Sequence, residues 1–126
     1  MLVDLPGYGY AKLSRTISAE WPKFIEPYLK HRETLQLAIC LIDANVPPQP
    51  SDTQLMDFLR SVGRSFLLVA TKADKLSANK LRPALISLAA AHGVENILPY
   101  SAKTGAGKIE LWRTIRESST EKVLWR

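Results

Sequence analysis

A chain of 126 residues argues for one domain, residues 1–126, and a hydrophobic content of 46% is enough for a globular core. No apolar run approaches the ~20 residues that cross a bilayer, no secretory leader is expected, and a lone cysteine, Cys40, argues against a disulfide framework. The expectation is a cytoplasmic protein with no membrane partner, whose formal charge of +5 fits RNA as well as it fits an ordinary basic surface.

Residues 1–4 (MLVD) read as the end of a buried strand that turns at Asp4-Leu5-Pro6-Gly7. Ser18 can cap a helix with Trp21, Phe24, Ile25, Tyr28 and Leu29 on one face. Pro22 suits its first turn, and Pro27 is expected to kink or end it. Residues 35–43 (LQLAICLID) are an apolar run closed by an acid, which predicts a strand buried on both faces, with Cys40 as a core residue. A stiff loop, VPPQP, leads to Ser51-Asp52-Thr53-Gln54, which matches a capping box ahead of Leu55, Phe58, Leu59 and Val62. Residues 65–71 (SFLLVAT) predict another buried strand. Leu81, Leu85, Leu88 and Ala89 mark a further helix, closed by Gly93. Residues 97–100 predict a short strand, and Ile109, Trp112 and Ile115 open the last helix. Trp21, Tyr28 and Trp112 are expected in the core, with Trp125 in the tail the aromatic to consider for a partner. His31 and His92, near helix ends, are expected to be solvated or capping.

Strands thus alternate with helices four times, the pattern of an α/β fold with a parallel sheet and helices on its faces. Ligands in such sheets bind at the carboxyl ends of the strands. Asp4, Asp43, Thr71 to Asp74 and Ser101 to Lys103 all fall there.

Thr71-Lys72-Ala73-Asp74 directly follows a strand. A carboxylate at this point can accept two hydrogen bonds from the N1–H and exocyclic amine of guanine. Adenine lacks that donor pair and would leave the acid unpaired. The Lys72 stem can lie flat on the purine. A polar turn capping the next helix would look the same. Ser101-Ala102-Lys103 follows the next strand, where a backbone N–H can reach the guanine O6 while Ser101 braces the turn. Two other stretches read better as turns. Residues 104–108 (TGAGK) look like the end of a phosphate-binding loop, but Ala102 and Ile109 break the pattern. Gly7 and Gly9 make a GxG, but Lys12 stands where a dinucleotide fingerprint wants a third glycine.

The order DxxG, [NT]KxD, SAK resembles the G domain of translation-factor-related (TRAFAC-class) GTPases. DLPGYGYA, YLKHR, LIDANVPPQPSD, TKADKL and SAKTGAG followed by ELW narrow the resemblance to the EngB (YihA) family across nearly the whole chain. The resemblance implies a three-layer, P-loop NTPase-like G domain with a mainly parallel sheet. It implies GTP or GDP as ligand with Mg2+ as cofactor. Asp4 would hold the metal through water, the Gly7 N–H would meet the γ-phosphate, and Leu5 and Pro6 would be nucleotide-binding residues beside them. Residues 8–15 would begin a switch segment. Thr71, Lys72, Ala73, Asp74, Ser101, Ala102 and Lys103 would form the base pocket. Tyr8 stands where Ras-like GTPases often have a water-orienting Gln, so intrinsic hydrolysis is expected to be slow or to use another device. The resemblance further implies a role in large-ribosomal-subunit assembly, needed for normal cell division and septation.

No GxxxxGK[ST] occurs in the 126 residues. The family's first strands and P-loop are therefore expected to be missing, with weak nucleotide binding, poor hydrolysis and self-association through an open sheet edge as consequences. A nucleotide-independent module that docks on the ribosome is the alternative.

Overall fold

The computed structural model describes residues 25–120. Asp4, Leu5, Pro6, Gly7, the expected first strand, Ser18, Trp21, Pro22, Phe24 and Trp125 lie outside them. The described chain opens with helical residues 25–31 (α1) and continues through β1 (Ala38–Asp43), α2 (Pro50–Ser61) and β2 (Phe66–Thr71). A 3-10 turn (Ala73–Lys75), α3 (Ala78–His92), β3 (Leu98–Pro99) and α4 (Lys108–Thr120) follow. The three strands form a parallel sheet in the order β1-β2-β3. The predicted α/β alternation is therefore present. Among the described residues no helix is long and apolar enough to cross a membrane.

Strand lengths are set by pairing rather than by hydrophobicity. Ala38 registers with Phe66 and Asp43 with Thr71, so β1 begins three residues later than the apolar run that announces it. Leu35 to Leu37 have no β2 residue opposite them. The Leu35 carbonyl instead accepts from Arg64 Nη1 at 3.2 Å. β2 is central, and Leu68, Val69 and Ala70 are all buried, as three consecutive residues must be when both faces are covered. β1 departs from that expectation. Cys40 and Ile42 are buried, but Leu41 between them is 65% exposed. Among the described residues β1 is the edge of the sheet, with β2 on one side only.

The main core lies on one face of the sheet. Cys40, Ile42, Leu68 and Ala70 meet Ile25 and Leu29 from α1, Met56 and Leu59 from α2, and Leu88 from α3. Burial pushes the Cys40 thiol up to about 12, with the nearby Asp52 charge adding to it. Cys40 is thus an inert core residue.

Helix ends show where local sequence was misleading. Residues 25–31 remain helical past Pro27, which therefore does not end the helix. Its fixed φ is already helical, and it withholds only one N–H. The predicted capping box is not used. Gln49 is the N-cap, Pro50 opens the helix, and no side chain caps it. A proline at the first helical position is pre-organised, so the helix starts ahead of Ser51. Gly93 ends α3 as expected, at φ 66°, and Arg60 Nη2 donates to the His92 and Gly93 carbonyls at 2.6 and 3.1 Å.

Two side chains sit contrary to expectation. His92 is 2% exposed rather than solvated, and its Nδ1 shares a 3.1 Å hydrogen bond with Thr53 Oγ1 on α2. It is the last residue of α3, and that turn packs against α2 instead of facing water. Trp112 is 46% exposed, not core, and Ile109 on the same helix is also exposed. Helical spacing identified the face they share, but not what covers it.

Candidate functional site

Because β2 and β3 are parallel, both motif loops leave the sheet at the same end. Thr71 closes β2, and its hydroxyl donates to the Ile42 carbonyl at 3.0 Å, tying the loop to β1. Lys72 then takes a left-handed backbone, φ 57° and ψ 34°, and acts as N-cap of the 3-10 turn that carries Asp74. Ala73 is buried, and its N–H donates to the Tyr100 carbonyl at 3.1 Å. Tyr100 N in turn donates to the Ala70 carbonyl at 2.8 Å. The TKAD loop is thus bonded to the residue just before Ser101.

The two loops also meet through side chains. Ser101 is fully buried, and its Oγ donates to Asp74 Oδ1 at 2.7 Å while accepting from Thr104 N at 3.1 Å. The Ser101 backbone N–H donates to the Ala106 carbonyl at 3.0 Å. Ala102 and Lys103 sit on the exposed turn that follows. Gly107 closes this loop at φ 82°, and a Cβ there would collide with the Pro99 carbonyl oxygen. TGAGK therefore serves as a tight turn bracing Ser101, in line with the sequence reading.

Asp74 keeps acceptor capacity beyond its bond to Ser101. A carboxylate offers about four lone-pair sites, and one Oγ–H uses one of them. With Lys72 two residues earlier on the same exposed loop, the arrangement can present a fixed acceptor pair beside an aliphatic stem. That combination suits a flat heterocycle carrying adjacent N–H donors.

A third loop joins this end of the sheet. Asp43 was anticipated here as a strand-end acid; Asn45 was not. Asp43 Oδ1 accepts from the Asn45 backbone N–H at 2.8 Å and from Asn45 Nδ2 at 3.0 Å, while Lys72 Nζ lies 3.3 Å from Oδ2. Partial burial would raise the Asp43 carboxyl, but the Asn45 hydrogen bonds and the Lys72 ammonium outweigh it. Its pKa is held below the ordinary value. An Asn two residues after a strand-end acid is a turn-forming signal that could have marked Asn45.

Among the described residues no three His, Cys, Asp or Glu side chains gather as a metal set. Asp43 and Asp74 lie on separate loops and each accepts from its own protein partner. The magnesium expectation rests on Asp4, outside the described residues.

No family model matches the chain. A probable GTP-binding protein EngB from Acidobacterium capsulatum is 59% identical over 121 residues, covering 96% of this chain and 57% of that protein. Close homologues of this chain are thus named EngB GTP-binding proteins. A probable EngB from Koribacter versatilis is 48% identical over 119 residues, covering 94% of this chain and 59% of its own length. The chain spans less than two thirds of the length of the curated relatives it matches. Solved structures share its fold. A crystal structure of a probable GTP-binding protein EngB aligns at a TM-score of 0.80 with 21% identity, covering 92% of this chain and 74% of that one. Elongation factor SelB from Methanococcus maripaludis, in its apo form, aligns at 0.68 with 24% identity, covering 92% of this chain and 24% of SelB. The G-domain fold expected from the EngB resemblance is thus shared with these GTPases.

Proposed function

We propose that these residues form the guanine-reading side of an EngB-type GTP/GDP site. Asp74 accepts the N1–H and exocyclic amine of guanine, and Lys72 lays its stem along the purine. Thr71 and Ala73 hold the loop, and the turn through Ser101, Ala102 and Lys103 closes over the O6 edge. The observation that carries the reading is the 2.7 Å bond from Ser101 to Asp74, which joins two loops 27 residues apart in the sequence around one acceptor. Asp4, with Leu5, Pro6 and Gly7, would serve the phosphates and hold Mg2+ through water. Binding by these 126 residues is weak and led by the base, and hydrolysis is poor, since no GxxxxGK[ST] lies among them.

The wider role proposed for the gene product is assembly of the large ribosomal subunit in the cytoplasm, with its consequence for division and septation. Likeness to EngB proteins and a charge of +5 support contact with rRNA. Self-association through the outer edge of β1 is part of the same proposal, since an uncovered apolar edge invites pairing.

The test is a titration of the purified chain with fluorescent GDP in magnesium buffer, against fluorescent ADP. Saturable binding of GDP but not ADP supports the reading. Asp74→Asn should then move preference toward the xanthine nucleotide, because an amide matches its altered edge. Equal binding of GDP and ADP, or none, refutes it. Ribosome association without nucleotide would then point to the docking module.

A further inference from the structure

Lys72 needs an explanation that guanine recognition alone does not supply. It is the one non-glycine residue with positive φ among those described. A residue with a Cβ gives up roughly 1–2 kcal/mol in that conformation, so it persists only where neighbours hold it. Here both ends of Lys72 are held, and by the same two residues. Asn45 Nδ2 donates to the Lys72 carbonyl at 3.2 Å, and the Lys72 ammonium lies 3.3 Å from Asp43 Oδ2. Asp43 Oδ1 completes the ring by accepting from Asn45 through both its backbone and its side chain.

We propose that Asp43 and Asn45 are positioning residues for base recognition. They fix the left-handed turn at Lys72 and draw its stem toward the end of β1, so that the stem and Asp74 face a bound purine at a set angle. Neither residue belongs to TKAD or SAK. The inference rests on the guanine-binding reading above.

Exposure separates this role from a merely structural one. The Lys72 side chain is 55% exposed and that of Asp43 28%. An ion pair so open to water adds little to fold stability. Its loss should leave unfolding almost unchanged while freeing Lys72 to wander. The held pKa of Asp43 agrees with a carboxylate that stays ionised throughout the neutral range.

The experiment is a double-mutant cycle on the full 126-residue chain, reading the Kd for fluorescent GDP and the urea midpoint together. Asp43→Asn keeps the shape and removes the charge. It should weaken GDP binding about three- to fivefold, the size expected for an exposed charged pair, with the urea midpoint unmoved. In a Lys72→Ala background the same change should cost nothing further, since Asp43 acts through Lys72. Asn45→Ala, which leaves the carboxylate in place but frees the Lys72 carbonyl, should likewise weaken GDP binding with the urea midpoint unmoved. Unchanged GDP affinity in both single variants, losses that simply multiply in the double variant, or a loss that tracks a fallen urea midpoint would each overturn the proposal while leaving guanine binding intact. Failure of the unsubstituted chain to bind GDP would overturn the guanine reading, and this inference with it.

Discussion

Replacing Arg64 with alanine should cost this fold about 3 kcal/mol. Arg64 lies between α2 and β2, and its guanidinium gathers four backbone carbonyls around the end of α1. Nε donates to Leu29 O at 2.7 Å and Nη1 to Leu35 O at 3.2 Å, both partly buried. Nη2 donates to Lys30 O at 3.1 Å and Arg32 O at 2.7 Å, both exposed. The last carbonyls of a helix have no partner within it, and Arg64 supplies one to Leu29 O and Lys30 O, while its other two bonds tie down the segment that follows. Water can replace Arg64 at the two exposed oxygens, so they add little. Each partly buried bond from a charged donor is worth about 1.5 kcal/mol at the low end, and two of them give the estimate. Urea unfolding followed by far-UV circular dichroism should show the midpoint falling by roughly 1–3 M, at an ordinary denaturant slope of ~1–3 kcal/mol per M. Arg64→Lys should recover little, because an ammonium lacks the planar fork that reaches several oxygens at once. A loss below about 1 kcal/mol for the alanine variant would refute the argument that this residue caps α1.

The remaining predictions concern the SAK loop and pH. Gly107→Ala should cost more than about 2 kcal/mol, from a left-handed backbone and a collision with the Pro99 carbonyl. Its urea midpoint should drop, and any GDP binding should weaken with it as Ser101 loses its brace. Asp52 behaves oppositely to Asp43. Burial raises its pKa, with the His92 neighbour pulling the other way. The folded state then holds its proton to higher pH than the unfolded chain does, so stability is lost as pH rises from about 3.8 through the raised value. Asp52→Asn should therefore gain on the unsubstituted chain between pH 4 and 7, and urea midpoints at the two pH values measure that gain. A difference that stays constant with pH would show that the carboxyl is not desolvated.

The sequence by itself determined the alternation of strands and helices, because apolar runs closed by acids and helical spacing of Leu and Phe are local signals. It fixed Gly93 as a helix end and TGAGK as a turn, since few residues tolerate the backbone those positions need. It also placed TKAD and SAK at the carboxyl ends of strands, because their order follows the strands that carry them. Tertiary structure decided what local pattern cannot encode. Register with β2 trimmed β1 to Ala38–Asp43, and among the described residues nothing buries Leu41 although its own run predicts burial on both faces. Pro50 displaced a capping box that reads well in isolation. Packing of α2 against α3 buried His92, and Trp112 stayed open to water. The clamp on Lys72 is the deepest case. Asp43 and Asn45 lie 29 and 27 residues before it in sequence, and only the parallel pairing of β1 with β2 brings those loop ends within hydrogen-bond reach.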